Sequence, residues 1–346
     1  MNKIVEYKEK KSKKKVVAAV LLAAVIAVAA LAIFFGIKWQ IEAAYRENFD
    51  KSAMEVGGYT VTYDVYRYFY LNYRDEMEAS FTDADGKVNV SALDRKIREA
   101  VEGAVKGLYG VVSLAADYGI SLGDSDVRSA AAEYVKAVED YYEKPKDYKK
   151  DLEENYITED VFMLLMGVDC LEDKLFSMLV SDGGKIEDND EKLTAILMGD
   201  DFVRAKQIFI ENDKGEDVEN NRKIAEEALE KFLSGEDLAT LIGRYSEDIS
   251  MPADGYYFTH LEMIEEFETA AFALGDGEVS GVVESEDGFH IIVRLPKDEK
   301  YIQDNFSELK SQYQSSAFYK MIDARAEALR ATESEFVRGL SYEEIH

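Results

Sequence analysis

Cysteine, proline and histidine are all scarce in this 346-residue sequence. The single cysteine, Cys170, excludes an intramolecular disulfide and a cysteine-rich metal site. It lies in the apolar run Val161–Leu179, a setting typical of a buried and unreactive thiol. With only 3 prolines and 22 glycines beside 47% hydrophobic residues, the chain is neither collagen-like nor extensively disordered. The composition predicts a mostly helical protein whose length suits two modest domains, or one domain with helical arms.

Common catalytic and metal-binding motifs are missing as well. The three histidines, His260, His290 and His346, are not at the spacing of metal ligands. The sequence has no Gly-x-Ser-x-Gly nucleophile elbow and no phosphate-binding glycine loop. The acidic runs at 187–191 and 211–219 lack the ligand spacing of a calcium loop. The sequence therefore predicts no metal and no cofactor.

Positive charge is concentrated at the start of the chain. Residues 1–15 carry seven lysines and two glutamates, so the remainder has a net charge of about −34, against −29 for the whole sequence. Such a charge repels nucleic-acid phosphates and argues against DNA or RNA as a partner. Basic client proteins or divalent cations suit an acidic surface, and solubility alone is the alternative explanation.

The apolar stretch Val16–Ile37 predicts a transmembrane helix, because a helix of this length spans roughly 33 Å. Lysines precede it, and Lys38, Trp39 and an acidic chain follow it, so the N-terminus is expected in the cytoplasm. The prediction is a single-pass protein of the cell membrane whose C-terminal domains are extracellular. A cleaved signal peptide is the alternative, but the run exceeds an h-region of about 7–15 residues and Ile41-Glu42-Ala43 is a poor cleavage site.

The pattern of the remaining chain changes twice. Residues 38–57 lack periodicity and are predicted to be a stalk. Residues 56–62 predict a glycine turn followed by a β-favouring alternation. Apart from this start, residues 58–200 predict a helical region, with helices at about 62–81, 90–118, 125–142 and 158–180. Strand, helix and turn signals alternate over 201–297, which predicts a compact α+β domain. Residues 298–346 return to helical periodicity, mainly over 301–332.

An aromatic stripe marks the first of these helices. Tyr66, Phe69, Tyr70 and Tyr73 recur at spacings of three and four, which places them on one helical face. Such a stripe is typical of a core, and a client-binding surface is the alternative.

Residues 203–296 resemble the parvulin rotamases. The segments that carry the resemblance are VRAKQIFI as a first strand, NRKIAEEALEKFLSGEDLATLIGRYSED as two helices, ADGYYF as a short strand, LEMIEEFETAAFAL as a third helix and GDGEVSGVVESEDGFHIIVRL as a turn with a terminal hairpin. The flanking VGGYTVT, GISLGDSDV and final helix are similar to the SurA and PrsA foldases. The resemblance implies an α+β protein with a helical chaperone region, a parvulin-like (PpiC) rotamase domain over 201–297 and a C-terminal helix that packs back on the helical region.

Isomerisation of a prolyl bond requires few catalytic groups. The barrier of ~18–20 kcal/mol arises because the twisted amide loses its resonance, so no nucleophile or cofactor is needed. An apolar pocket must hold the proline ring while polar groups favour the twisted amide. The resemblance implies a peptidyl-prolyl isomerase that acts on unfolded secreted or cell-envelope polypeptides. A catalytically degenerate holdase, which binds such clients without isomerising them, is the alternative.

Position in the family motif implies the site residues. Met263, Phe267 and Phe258 correspond to the proline pocket, with Phe209 beside them; as residues of an amphipathic helix or strand they can equally be core. Asp248 corresponds to the polar position beside the twisting amide. His290 matches the histidine of the last strand, and Asp287 the hydroxyl position shortly before it.

The sequence departs from the family pattern at two places. Gln207 stands where active parvulins carry a first histidine; glutamine can still donate and accept hydrogen bonds, but it cannot titrate. Gly255-Tyr256-Tyr257 replaces a Gly-Asp-Leu-Gly pattern at the rim of the pocket. Weak isomerase activity is therefore expected, with Gln207, Asp248 and His290 as the polar residues of the site.

Overall fold

The computed structural model describes residues 46–181, 183–212 and 218–346. The membrane span predicted for Val16–Ile37 and the first part of the predicted stalk, residues 38–45, lie outside these residues. Within the described ranges, no helix is both long enough and apolar enough to cross a bilayer. Helices and two antiparallel sheets occur together, which confirms the α+β class.

The elements follow one another along the described chain. In order they are β1 (Ser52–Val56), β2 (Tyr59–Thr62), α1 (Tyr63–Met77), a 3₁₀ turn (Glu78–Phe81), α2 (Val90–Asp117), α3 (Ser125–Tyr141), α4 (Pro145–Glu154), α5 (Glu159–Val180), α6 (Asp190–Met198), β3 (Val203–Glu211), α7 (Val218–Leu233), α8 (Leu238–Tyr245), β4 (Tyr256–Phe258), α9 (Glu265–Ala273), β5 (Val283–Glu284), β6 (Gly288–Leu295), α10 (Glu299–Asp304), α11 (Phe306–Ala328), β7 (Ala331–Glu333), α12 (Glu335–Arg338) and a final 3₁₀ turn (Tyr342–Glu344).

The chain forms two compact units, each built from separate segments. Among the described residues, the first unit contains 46–105, 144–161 and 330–346, and the second contains 106–143 and 162–329. The whole of residues 201–297 lies in the second unit. The α2 and α5 helices contribute residues to both units.

The first unit contains a three-stranded antiparallel sheet in the order β2-β1-β7. The prediction of a stalk over 38–57 is therefore wrong at its end, where β1 lies, while β2 falls on the β-favouring alternation predicted over 56–62. Gly57 and Gly58 both have positive φ and form the tight turn that joins β1 to β2. The partner of β1 on its other side is β7, a pairing that no local pattern reveals. The aromatic stripe is core at Tyr66 and Tyr70, which are fully buried, while Phe69 and Tyr73 are only partly buried.

Two helix boundaries differ from prediction. The helix expected over 301–332 ends at Ala328, and residues beyond it form β7. The α4 helix was not predicted, because Pro145 was interpreted as a separator. Proline fits the first helical position, where its missing N–H costs no hydrogen bond, and Pro145 begins α4 in this way.

The second unit contains a four-stranded antiparallel sheet in the order β4-β3-β6-β5. Helices α7 and α8 cover one face, where Ile208 and Ile291 belong to their core cluster. Helix α9 covers the other face, where Ala205 and Ile292 pack with Phe267. Because side chains alternate along a strand, Gln207 and Phe209 of β3 and His290 of β6 point to the α9 face.

The helix α11 lies against several parts of the same unit. Leu309 joins Phe202 and Tyr257 in a core cluster. The Gln312 side chain donates to the Tyr257 carbonyl at 2.8 Å. Further along α11, the Phe318 ring meets the Phe176 ring of α5 edge to face, with centroids 5.2 Å apart.

Candidate active site

A row of hydrogen-bonded side chains crosses the α9 face of the sheet. Gln207 Nε2 donates to Asp248 Oδ2 at 2.6 Å, and Gln207 Oε1 lies 2.8 Å from His290 Nδ1. On the far side of the imidazole, Ser285 Oγ lies 2.8 Å from His290 Nε2. The sheet brings together Gln207, Asp248 and His290, the three polar residues that the motif implied.

The hydrogen bonds of this row run in one direction. The Asp248 carboxylate only accepts, so Gln207 must present its amide N–H to it and its carbonyl oxygen to His290. His290 therefore carries its proton on Nδ1, and Nε2 accepts from the Ser285 hydroxyl. Burial lowers the pKa of His290, although the nearby carboxylates of Asp287, Glu266 and Asp248 oppose this shift. A neutral imidazole at neutral pH fits this arrangement.

The Asp248 carboxylate accepts five hydrogen bonds. Oδ2 accepts from Gln207 Nε2 at 2.6 Å and from Tyr256 Oη at 2.9 Å. Oδ1 accepts from Ser250 Oγ at 2.8 Å, Ser250 N at 3.0 Å and Met251 N at 3.1 Å. Burial alone raises the pKa of Asp248, but the bonds from Gln207, Ser250 and Tyr256 outweigh burial and hold it below its usual value. The site thus contains a fixed negative charge at neutral pH.

The loop that carries Asp248 is attached to β3. Helix α8 ends at Tyr245, and the next residue, Ser246, accepts from the Phe209 N–H through Oγ at 3.1 Å. Glu247 N then donates to the Phe209 carbonyl at 2.9 Å. The loop therefore follows the strand, and Asp248 closes a short turn with its own side chain.

The aromatic residues implied for the pocket occupy two depths. Phe258 and Phe267 are each 1% exposed and belong to the core under α9. Phe209 and Met263 are partly exposed, and the Phe209 ring stacks on the His290 ring with centroids 4.7 Å apart. The Phe267 ring also meets the His290 ring, edge to face, with centroids 6.0 Å apart. Contact of any of these residues with a proline ring stays a prediction.

The third helix of the domain begins later than predicted. The sequence LEMIEEF was expected to be helical from Leu261, but α9 begins at Glu265. Leu261 has a φ of 66°, and its N–H is held at 2.7 Å by the Glu268 carboxylate. Glu262 likewise accepts from Thr259 N at 2.7 Å. These side-chain bonds to the backbone favour a turn, so Met263 lies just before the helix rather than on it.

The hydroxyl that contacts His290 comes from Ser285 and not from position 287. Asp287 is exposed, and its backbone N–H donates to Ser285 Oγ at 3.2 Å. Sequence reasoning also missed Ser250 and Tyr256 as partners of Asp248. The sequence does contain a signal for the partner of His290: Ser285 is a hydroxyl residue in the hairpin that joins β5 to β6.

A candidate metal site is absent from the part of the chain that the structure describes. Among those residues, no group of three or more histidine, cysteine, aspartate or glutamate side chains is placed to hold a metal ion.

Known proteins similar to this chain point to one family. Residues 206–295 match the family model of the PPIC-type PPIASE domain, a rotamase. The foldase protein PrsA of Caldanaerobacter subterraneus is 29% identical over 208 residues, which cover 59% of this chain and 60% of that protein. The PrsA of a Geobacillus species is 32% identical over 124 residues, which cover 35% of this chain and 41% of that protein. The chain thus spans about three fifths, or less, of the length of these relatives.

Two solved structures share part of this chain's sequence and length. The PrsA peptidylprolyl isomerase of Bacillus anthracis has a TM-score of 0.36 and 19% identity, over 64% of this chain and 93% of that chain. NmPin, the parvulin of Nitrosopumilus maritimus, has a TM-score of 0.23 and 32% identity, over 28% of this chain and 96% of that chain. The family match and the PrsA relatives agree with the resemblance seen in the sequence, and residues 206–295 are a PPIC-type, parvulin rotamase domain in a chain similar to the PrsA foldases.

Proposed function

We propose that this chain is a peptidyl-prolyl cis-trans isomerase of the parvulin class that assists the folding of other polypeptides. The observation that carries the proposal is the hydrogen-bonded row from Asp248 through Gln207 to His290, inside a domain that matches the rotamase family. The row holds a negative charge on one side of the site and a neutral imidazole on the other.

The fixed charge gives a physical route to catalysis. Resonance in a planar amide places partial negative charge on the carbonyl oxygen and partial positive charge on nitrogen. An anion such as Asp248, held beside that oxygen, destabilises the planar form more than the twisted form, in which the charge separation is lost. Phe209, which stacks on His290, and Met263, which packs against the core cluster under α9, are both partly exposed and offer apolar contact for the proline ring. Binding energy is then realised mainly in the twisted transition state.

The proposed clients are unfolded or partly folded secreted and cell-envelope polypeptides. The foldase relatives support this, together with the apolar run Val16–Ile37 and its flanking lysines. In this proposal the run anchors the chain in the cell membrane, with the N-terminus in the cytoplasm and residues 38–346 outside. The acidic exterior favours clients with basic segments.

A measurement of prolyl exchange tests the enzymatic proposal. The full chain, kept soluble in mild detergent, is added to a short Ala-Pro peptide, and cis-trans exchange is followed by NMR. We expect faster exchange than in the peptide alone. Asp248→Asn should lower the enzymatic rate by about 10²-fold, the usual cost of removing one preorganised electrostatic group.

The matched control is Asp254→Asn, an exposed carboxylate six residues after Asp248 that pairs with Arg204 at 3.9 Å. This variant should keep the rate of the unaltered chain. If the unaltered chain does not accelerate exchange but suppresses aggregation of an unfolded reporter, the holdase alternative replaces the enzyme. Three exposed apolar residues near the site, Ile249, Leu261 and Ile264, offer contacts for such binding.

A further inference from the structure

Two hydroxyl groups outside the family motif also hold Asp248. Tyr256 Oη donates to Asp248 Oδ2 at 2.9 Å and lies 2.9 Å from Ser250 Oγ. Ser250 Oγ in turn donates to Asp248 Oδ1 at 2.8 Å. Each hydroxyl has a single proton and donates it to the carboxylate, so each carboxylate oxygen has one side-chain hydroxyl as a partner, and the contact between the two hydroxyls is not a third hydrogen bond.

Burial separates these hydroxyls from the rest of the row. Gln207 and His290 are 7% and 4% exposed, so they hold Asp248 from the interior of the domain. Tyr256 is partly exposed and Ser250 is exposed, so they hold it from the solvent side. Asp248 itself is only half-buried. A half-buried carboxylate without hydroxyl partners on its solvent side is free to change rotamer and to replace its protein hydrogen bonds by hydrogen bonds to water.

The position of the Tyr256 hydroxyl is fixed by packing. Tyr256 lies on β4 opposite Ala205 of β3, and its ring meets the Phe267 ring edge to face with centroids 6.4 Å apart. Gly255 precedes it with a φ of 84°, and a Cβ there would lie 2.6 Å from the Ala205 carbonyl oxygen. A rigid ring on a strand, placed by a glycine that allows close approach, is a precise support for a functional group.

We propose that Tyr256 is a positioning residue of the isomerase site, whose hydroxyl keeps the Asp248 carboxylate in the orientation that the twisting amide requires. The inference rests on the proposed function, because it assigns a role within that reaction. It also gives a purpose to the Gly-Tyr-Tyr sequence at 255–257, which departs from the family pattern.

The neighbouring tyrosine supplies a matched control. Tyr257 points to the opposite face of β4, where its ring stacks on Tyr301 with centroids 4.1 Å apart. Its hydroxyl accepts from Asp298 N at 3.2 Å and has no contact with Asp248. Tyr256→Phe and Tyr257→Phe therefore remove the same atom from adjacent residues, but only the first removes a partner of Asp248.

The test measures peptide affinity and exchange rate separately in the full chain. Titration of an Ala-Pro peptide gives the dissociation constant, and NMR exchange spectroscopy at saturation gives the rate. Tyr256→Phe should slow exchange about tenfold, less than the ~10²-fold expected for a group that acts directly on the reacting atoms. The dissociation constant should stay unchanged, because a positioning residue acts on the transition state and not on binding. Tyr257→Phe should change neither quantity.

Each other outcome has a defined meaning. An unchanged rate in Tyr256→Phe overturns the inference, and so does a parallel loss of rate and affinity, which would place Tyr256 in direct contact with the peptide. If Tyr256→Phe does not fold, Ser250→Ala decides: a slower rate at constant affinity supports positioning of Asp248 by its hydroxyl partners, and an unchanged rate overturns it. An unaltered chain without any exchange activity removes the proposed function, and this inference with it, and is thereby distinguished from a failure at Tyr256 alone.

Discussion

Gln207 bridges Asp248 and His290 through the two ends of its side-chain amide. Its amide donates to an anion on one side and its carbonyl accepts from an imidazole on the other, at 2.6 and 2.8 Å. A neutral imidazole at position 207 can make the same two bonds through its two ring nitrogens, one as donor and one as acceptor. The structure therefore accommodates the histidine that the family pattern has at this position.

Gln207→His should raise the rate of prolyl exchange. Since the replacement can keep both hydrogen bonds, a rise of about three- to tenfold is expected, within the range contributed by a well-placed polar group. NMR exchange of an Ala-Pro peptide with the full chain measures it. Gln207→Leu is the control: it removes both bonds and leaves His290 Nδ1 without its acceptor, so exchange should slow. A histidine variant as slow as the leucine variant would contradict the prediction.

At this scale, the motif located residues better than it described their surroundings. Asp248 and His290 were placed at the site from position in the motif, and the structure brings them into one row with Gln207. The motif implies that Phe258 and Phe267 line the proline pocket, and the structure buries both side chains in the core under α9. The sequence cannot separate these two roles, because apolar residues of a core and of a pocket wall recur with the same spacing. Ser285 was passed over for Asp287, since only the hairpin geometry decides which side chain reaches the imidazole.

Among the elements, Glu262 joins the turn before α9 to α11. Its Oε2 accepts from Thr259 N and from Gln312 Nε2, each at 2.7 Å. Burial raises the pKa of Glu262 to about 7, against opposing bonds from Thr259 and Gln312. In the folded protein the carboxyl therefore stays protonated to a higher pH than in the unfolded chain.

Glu262→Gln should flatten the dependence of stability on pH. Between about pH 4.5 and pH 7 the folded state binds more protons at this carboxyl than the unfolded state, so the free energy of unfolding falls as the pH rises. Glutamine keeps the acceptor oxygen and does not ionise. Urea unfolding gives the free energy of unfolding of the variant and of the unaltered chain at each pH. The variant's value minus that of the unaltered chain should be larger at pH 8 than at pH 5. Glu265→Gln, an exposed carboxylate on α9, is the control, and equal effects of Glu262→Gln at both pH values would count against the argument.

Elements with strong local patterns were predictable, and those set by distant partners were not. The helices α2, α3 and α5 and the strand β3 lie within a residue or two of their predicted ranges, because their apolar periodicity is continuous. The strands β1 and β7 are short and pair with each other across more than two hundred residues, with Met54 opposite Glu333. Nothing in residues 52–56 or 331–333 alone indicates that partner.

At the scale of the whole molecule, the first unit depends on segments from both ends of the described chain. Arg98 of α2 bonds to Asp94 at 3.0 Å, to Glu333 of β7 at 3.2 Å and to the Leu340 carbonyl at 3.0 Å. Glu333 also accepts from Tyr66 Oη at 2.7 Å. The side chains of Arg98 and Glu333 are only 19% and 20% exposed, so the pair is shielded from water.

Arg98→Met should destabilise this unit by about 2 kcal/mol, because it leaves Glu333 and the Leu340 carbonyl without their cation. Urea unfolding, followed by circular dichroism, measures the loss. Lys96→Met on the same helix is the control: Lys96 pairs with Glu99 at 3.4 Å on the exposed surface, and its loss should cost under about 0.5 kcal/mol. Adding Glu333→Gln to Arg98→Met should recover part of the stability, and no recovery would argue against an unpaired carboxylate as the cause.

Because the sequence has a single cysteine, Cys170, thiol labelling of the unaltered chain can test the proposed membrane orientation. Cys170 is partly exposed and is predicted to lie outside the cell, so a membrane-impermeant maleimide should label it in intact cells that express the full chain. Burial raises the pKa of this thiol, so labelling at about pH 8.5 is preferred to neutral pH because the thiolate reacts. The control combines Cys170→Ala with Ser12→Cys, which moves the cysteine to the basic N-terminal tail. The cysteine at position 12 should react only after lysis, because the positive-inside rule places that tail in the cytoplasm. Labelling of Ser12→Cys but not Cys170 in intact cells would reverse the orientation, and with it the proposal that the rotamase domain meets secreted chains.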